Sequence, residues 1–351
     1  MTTWQDAFAL QTQACRMLGS GLTARVCEAL TRIIAADTGP VGQRVKTWPG
    51  DPGPGGDSVP LRLCGGLHAL VLSDQAPGLV KAYNAGGGMH LDQEIRTAIQ
   101  SHARHILDWL ELAPQTNEVA RSGPLIAAAW FLAGQLPERR FDLLELGASA
   151  GLNLNFPHYS LATQDGFQPT LSGDSGAEVR LVPRWQGQAP RPHPLQVVAA
   201  RGVDLNPLDP DREVFRLMAY VWADQRDRLG RLRAALALAR AIPPRVDQGD
   251  AAEWLAARLA EPAEHGRLVY HTIAAQYFPD ETREQIGQSL QEAGARADAT
   301  RPLAHVSMEA DGRDGAALDL RLWAGGAMRR WRLGRADFHG RWIDWQPEEA
   351  S

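Results

Sequence analysis

Lysine is nearly missing from this chain: Lys46 and Lys81 are the only two among 36 basic residues, and arginine supplies the rest. That is a compositional bias and points to no function. Against 41 acids the net charge is −5, which excludes a global attraction for nucleic acid or an anionic membrane. Cysteine is scarce as well. Cys15, Cys27 and Cys64 lack the paired spacing of zinc or redox motifs, and three is an odd number for a disulfide framework. A reducing compartment is the simpler expectation. No apolar run approaches a membrane-spanning length. The N-terminus has no basic segment followed by an apolar stretch, so no secretory signal is expected. Together these absences read as a cytoplasmic protein. His102 and His105 stand at i,i+3 with no third ligand in register, so no metal site is expected. What remains is 44% hydrophobic and 22% charged, a globular composition with enough length for a sizeable core.

The first part of the chain is patterned for helices. Phe8, Cys15 and Leu18 line one amphipathic segment and Leu22, Val26, Leu30 and Ile33 another, with Gly19-Ser20 between them as stop and cap. Residues 37–59, rich in glycine and proline, read as a surface loop. Helical spacing resumes at 61–72, at 91–112 and at 121–136, so residues 1–135 read as a helical cap or layer. From 141 the texture changes. Short apolar runs at 142–146, 197–203, 244–247, 267–273 and 303–309 alternate with helical segments at 211–240 and 280–293, the signature of βαβ units and a parallel sheet. Runs at 317–323, 328–333 and 341–345 read as antiparallel strands. Residues 156–195 carry six prolines and are too long for a simple crossover; they read as an insertion, a lid or dimer contact.

The chain centres on Glu145-Leu146-Gly147-Ala148-Ser149-Ala150-Gly151-Leu152-Asn153. A buried strand ends at an acid, and two glycines frame a turn of small residues before a helix start. Small residues let a ligand approach the backbone, and a helix start offers unpaired N–H groups. In open α/β sheets such turns lie at the carboxyl edge, where ligands bind. A dinucleotide fingerprint would need glycine at Ser149 and Leu152. Acid-x-Gly-x-x-x-Gly instead resembles the first motif of class I S-adenosylmethionine-dependent methyltransferases, whose usual form has a glycine where Ser149 stands. The resemblance implies a Rossmann-like, mostly parallel sheet with a C-terminal antiparallel strand pair over 136–351, and an S-adenosylmethionine cofactor.

Other residues fit that frame. Asp204, closing the second strand, is the expected ribose ligand, since a carboxylate accepts from both hydroxyls; Asn206 follows it. Asp250 reads first as an N-cap three residues before Glu253, and it also resembles the methyltransferase acid that reads the adenine amino group. The fourth strand delivers His271, then Gln276 and Tyr277, to the same edge. His271 is the candidate general base and Tyr277 a catalytic partner, because a histidine titrates near operating pH. Methyl transfer otherwise depends on alignment. Gln115, Asn117 and Arg121, with His68 and Trp222, are candidates for the acceptor pocket. The acceptor is expected to be a small molecule, since a helical layer could roof a pocket and no basic surface bias is present. A non-catalytic Rossmann-like nucleoside-binding or scaffold protein is the alternative.

The words Gln115-Thr116-Asn117-Glu118, the stretch 144–153, Asp204-Leu205-Asn206-Pro207-Leu208, Tyr220-Val221-Trp222 with Asp224-Gln225, and Gln276-Tyr277 together resemble the bacterial domain-of-unknown-function family 2332. That resemblance implies a methyltransferase-type fold and carries no activity with it.

Overall fold

The computed structural model describes residues 2–137, 139–169 and 178–350. The chain divides into two compact units, residues 1–116 with 213–230, and residues 117–212 with 231–351.

The first unit is helical. Thr3 and Asp6 form a reciprocal capping box on the helix Trp4–Met17, and Ser20 caps Gly21–Ala36. Asp224 sits at the start of that second helix, accepting from Leu22 N at 2.9 Å and from the Ser20 hydroxyl at 2.5 Å. A carboxylate is favoured there because the helix N-terminus carries partial positive charge. The core is built from Phe8, Leu30, Ile33, Leu63, Leu67 and their neighbours. Three details differ from the sequence pattern. The segment read as a loop contains the helix Pro40–Lys46, started by proline in its first turn and by Asp37, which accepts from Gly39 N and Gly42 N. The segment 91–112 is two helices, Leu91–Ser101 and Ala103–Glu111, broken at His102. The segment 211–240 is likewise divided into Val214–Ala219 and Arg226–Ala241.

Among the described residues the second unit contains twelve strands: β1 (Arg140–Leu146), β2 (Ser160–Thr163), β3 (Gly166–Pro169), β4 (Arg180–Leu181), β5 (Arg184–Gln186), β6 (Gln196–Asp204), β7 (Val246–Gln248), β8 (Gly266–Thr272), β9 (Leu303–Ala310), β10 (Ala316–Trp323), β11 (Arg329–Ala336) and β12 (Trp342–Ala350). Nine form one sheet in the order β5-β12-β11-β10-β9-β8-β1-β6-β7. The five from β7 to β9 are parallel, and β9 to β12 form an antiparallel meander. Beyond the five parallel strands the antiparallel group therefore adds three, β10 to β12, rather than a pair. The segment 156–195 supplies a small sheet, β3-β2-β4, and sends β5 to the edge of the main sheet beside β12. Its residues 170–177 lie outside the described residues.

Connectivity sets where a ligand would go. The chain passes from β1 outward through β6 to β7, then returns to lay β8 and β9 on the other side of β1. Strand order thus reverses beside β1, and in such sheets the crevice lies outside the carboxyl ends at that reversal. Side-chain alternation divides β1 between two faces. Leu144 and Leu146 join Val269, Leu255, Ile286 and Leu290 in one core, beneath the helices Ala251–Ala260 and Asp280–Gly294. Glu145 points to the opposite face, in register with Tyr270 of β8.

Candidate functional site

The turn after β1 is held in a conformation that ordinary side chains avoid. Gly147, Ser149 and Gly151 all have positive φ, at 71°, 54° and 71°. Glycine adopts this region freely; a serine does so at a cost of about 1–2 kcal/mol. Ser149 thus occupies a glycine-like conformation at the position where the methyltransferase motif has glycine. Close packing explains the flanking glycines. A Cβ at 147 would lie 2.7 Å from Ala274 Cβ, and one at 151 would lie 2.7 Å from Pro244 Cβ and Val246 Cγ2.

The turn's amides are engaged by the protein. Gly147 N and Ala148 N donate to Val203 O at 2.9 and 3.0 Å, Gly151 N to Ala148 O at 2.7 Å, and Leu152 N to Asn117 Oδ1 at 2.8 Å. Ser149 N donates to Asp204 Oδ2 at 2.8 Å, while Asn206 N closes an Asx turn on Asp204 Oδ1 at 2.9 Å. Asp204 therefore ties the glycine turn to the end of β6. Asp250 is the N-cap of Ala251–Ala260, accepting from Ala252 N and Glu253 N through Oδ1, with the Thr282 hydroxyl 3.4 Å from Oδ2. Asn153 accepts from the Ser122 hydroxyl at 2.8 Å. Beside Ala150 a pocket of about 590 Å³ opens between Pro207, Leu208, Pro243, Pro244 and Val246, within the range of small-molecule sites.

Two polar atoms under the turn have no hydrogen-bond partner among the described residues: Glu145 Oε2 and Ser149 Oγ. Glu145 is 2% exposed. Burial, then the nearby Asp204 carboxylate, push its carboxyl well above the usual range, which favours the protonated form. A carboxyl raised in the folded state contributes full stability below its ordinary value near 4.5 and loses it as pH climbs toward the folded value. As pH rises above 4.5 the wild type should lose stability relative to Glu145→Gln, by at most about 1.4 kcal/mol per pH unit. Urea unfolding at stepped pH reads that difference. Parallel pH profiles for the two proteins would mean that Glu145 is ionised in the fold.

The second half of the site is at the end of β8. The register of β8 against β9 places His271 opposite Ser307, so His271, His305 and Glu309 share one face. Glu309 Oε1 lies 2.6 Å from His271 Nδ1 and accepts from Ala274 N and Ala275 N at 3.0 and 3.2 Å. A carboxylate can only accept, so His271 Nδ1 carries its proton and Nε2 is the basic nitrogen. His305 packs 5.1 Å away, ring to ring, and burial holds its imidazole well below the ordinary range, hence neutral. Between His271 and Ala274 sits Ile273 with φ +51°. A β-branched residue in the left-handed region is a true outlier, and such strain gathers at functional sites. Gln276 and Tyr277 follow on the surface, Tyr277 75% exposed. Arg121 reaches the same strand end, donating to Thr272 O at 3.3 Å and to Phe338 O at 2.9 Å.

Sequence reasoning singled out Glu145, Gly147, Ala148, Ser149, Gly151, Asn153, Asp204, Asn206, Asp250, Asn117, Arg121, His271, Gln276 and Tyr277, all of which belong to the second unit. It missed Glu309 and the strained Ile273. The signal for Glu309 was present, since an acid closes the fifth apolar run. His68, Gln115 and Trp222 belong to the first unit, where His68 and Trp222 line one small cavity. His105 places Nε2 3.0 Å from Gly66 O.

No curated protein and no solved structure matches the chain. The model of a family described as an uncharacterized protein conserved in bacteria, DUF2332, matches residues 5–345, and the chain belongs to that family.

Proposed function

We propose that this protein is an S-adenosylmethionine-dependent methyltransferase acting on a small molecule. The observation that carries the reading is an adjacency. A turn with three left-handed residues and a carboxylate-held histidine stand side by side at the carboxyl ends of β1 and β8, where Gly147 meets Ala274. The residues fit the cofactor in part. Asp204 is half-buried and keeps acceptor capacity beyond the two amides it holds, which suits ribose hydroxyls. Asp250 Oδ2 accepts only the long bond from the Thr282 hydroxyl, at 3.4 Å, and keeps acceptor capacity for an adenine amino group. Glu145 Oε2 and Ser149 Oγ are polar atoms under the turn without partners among the described residues. Bound there, S-adenosylmethionine would supply an electrophilic methyl group. The chain's own part is to align an acceptor and take its proton. Glu309 fixes the tautomer that leaves His271 Nε2 as base, Arg121 reaches the same strand end, and Gln276 and Tyr277 follow it in the chain.

A specific observation favours a second reading, a non-catalytic nucleoside-binding or scaffold protein. The amides of Gly147, Ala148, Ser149, Gly151 and Leu152 all donate within the protein, so these five are not offered to a ligand. Titration calorimetry with S-adenosylmethionine and S-adenosylhomocysteine separates the two. The first reading expects saturable binding of both, and it fails if folded protein gives neither heat nor a thermal shift. With an acceptor in hand, His271→Ala should keep cofactor binding and lower turnover by about 10²–10⁴-fold, the usual contribution of a positioned base.

A further inference from the structure

Three cysteines far apart in sequence converge inside the helical unit. Cys27 Sγ, on Gly21–Ala36, lies 3.6 Å from Cys64 Sγ, on Val59–Leu72. Cys15, on Trp4–Met17, borders Cys27, and its sulfur accepts from Gln11 at 3.3 Å. All three are buried, and none is in a disulfide. They are not a metal centre: among the described residues no group of three or more His, Cys, Asp or Glu side chains could hold an ion.

The two close sulfurs are not equivalent. Cys64 is 7% exposed, and Cys27 is fully buried. Cys64 and His68 stand one turn apart on the same helix face, and both line a cavity of about 20 Å³ together with Thr23, Tyr83 and Tyr220. That volume holds one or two water-sized molecules and nothing larger. His68 Nδ1 is 3.0 Å from Ala219 O, which makes Nδ1 the protonated nitrogen and Nε2 the basic one. Cys27 does not line that cavity. The flanking sulfurs, then burial, push its thiol well up, so it is suited to react second.

We propose that Cys64 and Cys27 form a peroxide-reactive pair that closes to an intrachain disulfide, with hydrogen peroxide as the oxidant. The Cys64 sulfur attacks one peroxide oxygen and the O–O bond breaks. The departing hydroxide takes the thiol proton and leaves as water, and Cys64 becomes a sulfenic acid. The Cys27 sulfur then attacks the sulfenic sulfur. The S–O bond breaks, and that hydroxide leaves as a second water with the Cys27 proton. Two thiols lose two electrons and one peroxide becomes two waters. Closure moves the sulfurs from 3.6 Å to about 2.0 Å, a side-chain-scale motion between two packed helices. The inference is independent of methyl transfer, which concerns the other unit.

The test uses the full chain, reduced and freed of reductant, treated with hydrogen peroxide or, at matched concentration, oxidised glutathione. Denaturing alkylation and peptide mapping follow. Peroxide should give a Cys27–Cys64 linked peptide short of two hydrogens, with Cys15 still alkylated. Oxidised glutathione, too large for the cavity, should leave all three thiols free. Cys27→Ser should trap the sulfenic acid at Cys64 as a dimedone adduct. Cys64→Ser and Cys64→Ala, checked by circular dichroism for folding, should leave Cys27 reduced. Three alkylatable thiols after peroxide, a Cys15–Cys27 link, or equal reaction with oxidised glutathione would each overturn the assignment.

Discussion

Gly147→Ala should cost about 2–5 kcal/mol of stability, through two terms that add at one carbon. A non-glycine residue at φ +71° carries a left-handed penalty of about 1–2 kcal/mol. The new methyl would also stand 2.7 Å from Ala274 Cβ, and forcing an extra carbon into a packed contact costs about 1–3 kcal/mol. Ser149→Gly, two residues on, should have the opposite sign and stabilise by about 0.5–1 kcal/mol. It relieves the same backbone strain and deletes a buried hydroxyl without a partner among the described residues. Urea denaturation of both variants checks the pair. If Gly147→Ala is neutral, the contact between the ends of β1 and β8 is loose, and the adjacency behind the methyltransferase reading goes with it.

The strands were legible because parallel strands buried on both faces read as continuous apolar runs. β1, β6, β8 and β9 fall where those runs lie, and even the weak run at 244–247 overlaps β7. The breaks were not legible. His102 interrupts a pattern that keeps helical spacing across it, and Pro40–Lys46 is started by Asp37, a contact that glycine and proline content conceals. At the site, residues fixed by local geometry could be read directly: Asp250 as an N-cap, Gly147 and Gly151 as turn glycines. Residues whose role depends on strand register could not. Glu309 meets His271 only because β9 lies beside β8 with Ser307 opposite His271. Likewise, nothing in the spacing of Cys27 and Cys64 foretells a contact made by the packing of two helices.

Glu309→Ala should be the most damaging single change at this edge, about 3–5 kcal/mol. One oxygen, Oε1, receives the His271 Nδ1–H and the amides of Ala274 and Ala275. Removing it strands three donors in a largely buried turn, and each buried donor left unpaired costs about 1–3 kcal/mol. The same oxygen holds the turn that begins at Ile273, whose φ of +51° is sustained only by what surrounds it. Without the clamp, that strain drives the turn toward ordinary backbone geometry. Glu309→Gln keeps an acceptor oxygen and puts an amide where Oε2 lacks a partner among the described residues, so its loss should be smaller, about 1–2 kcal/mol. Thermal and urea unfolding rank the three proteins, and the slowly exchanging His271 Nδ1–H proton resonance should persist in the Gln variant and vanish in the Ala variant. Equal stability of the Ala variant and the wild type would mean that Glu309 does not hold the turn. His271 would then have no fixed tautomer, and the base required for the proposed reaction would have to be sought among other groups on this edge.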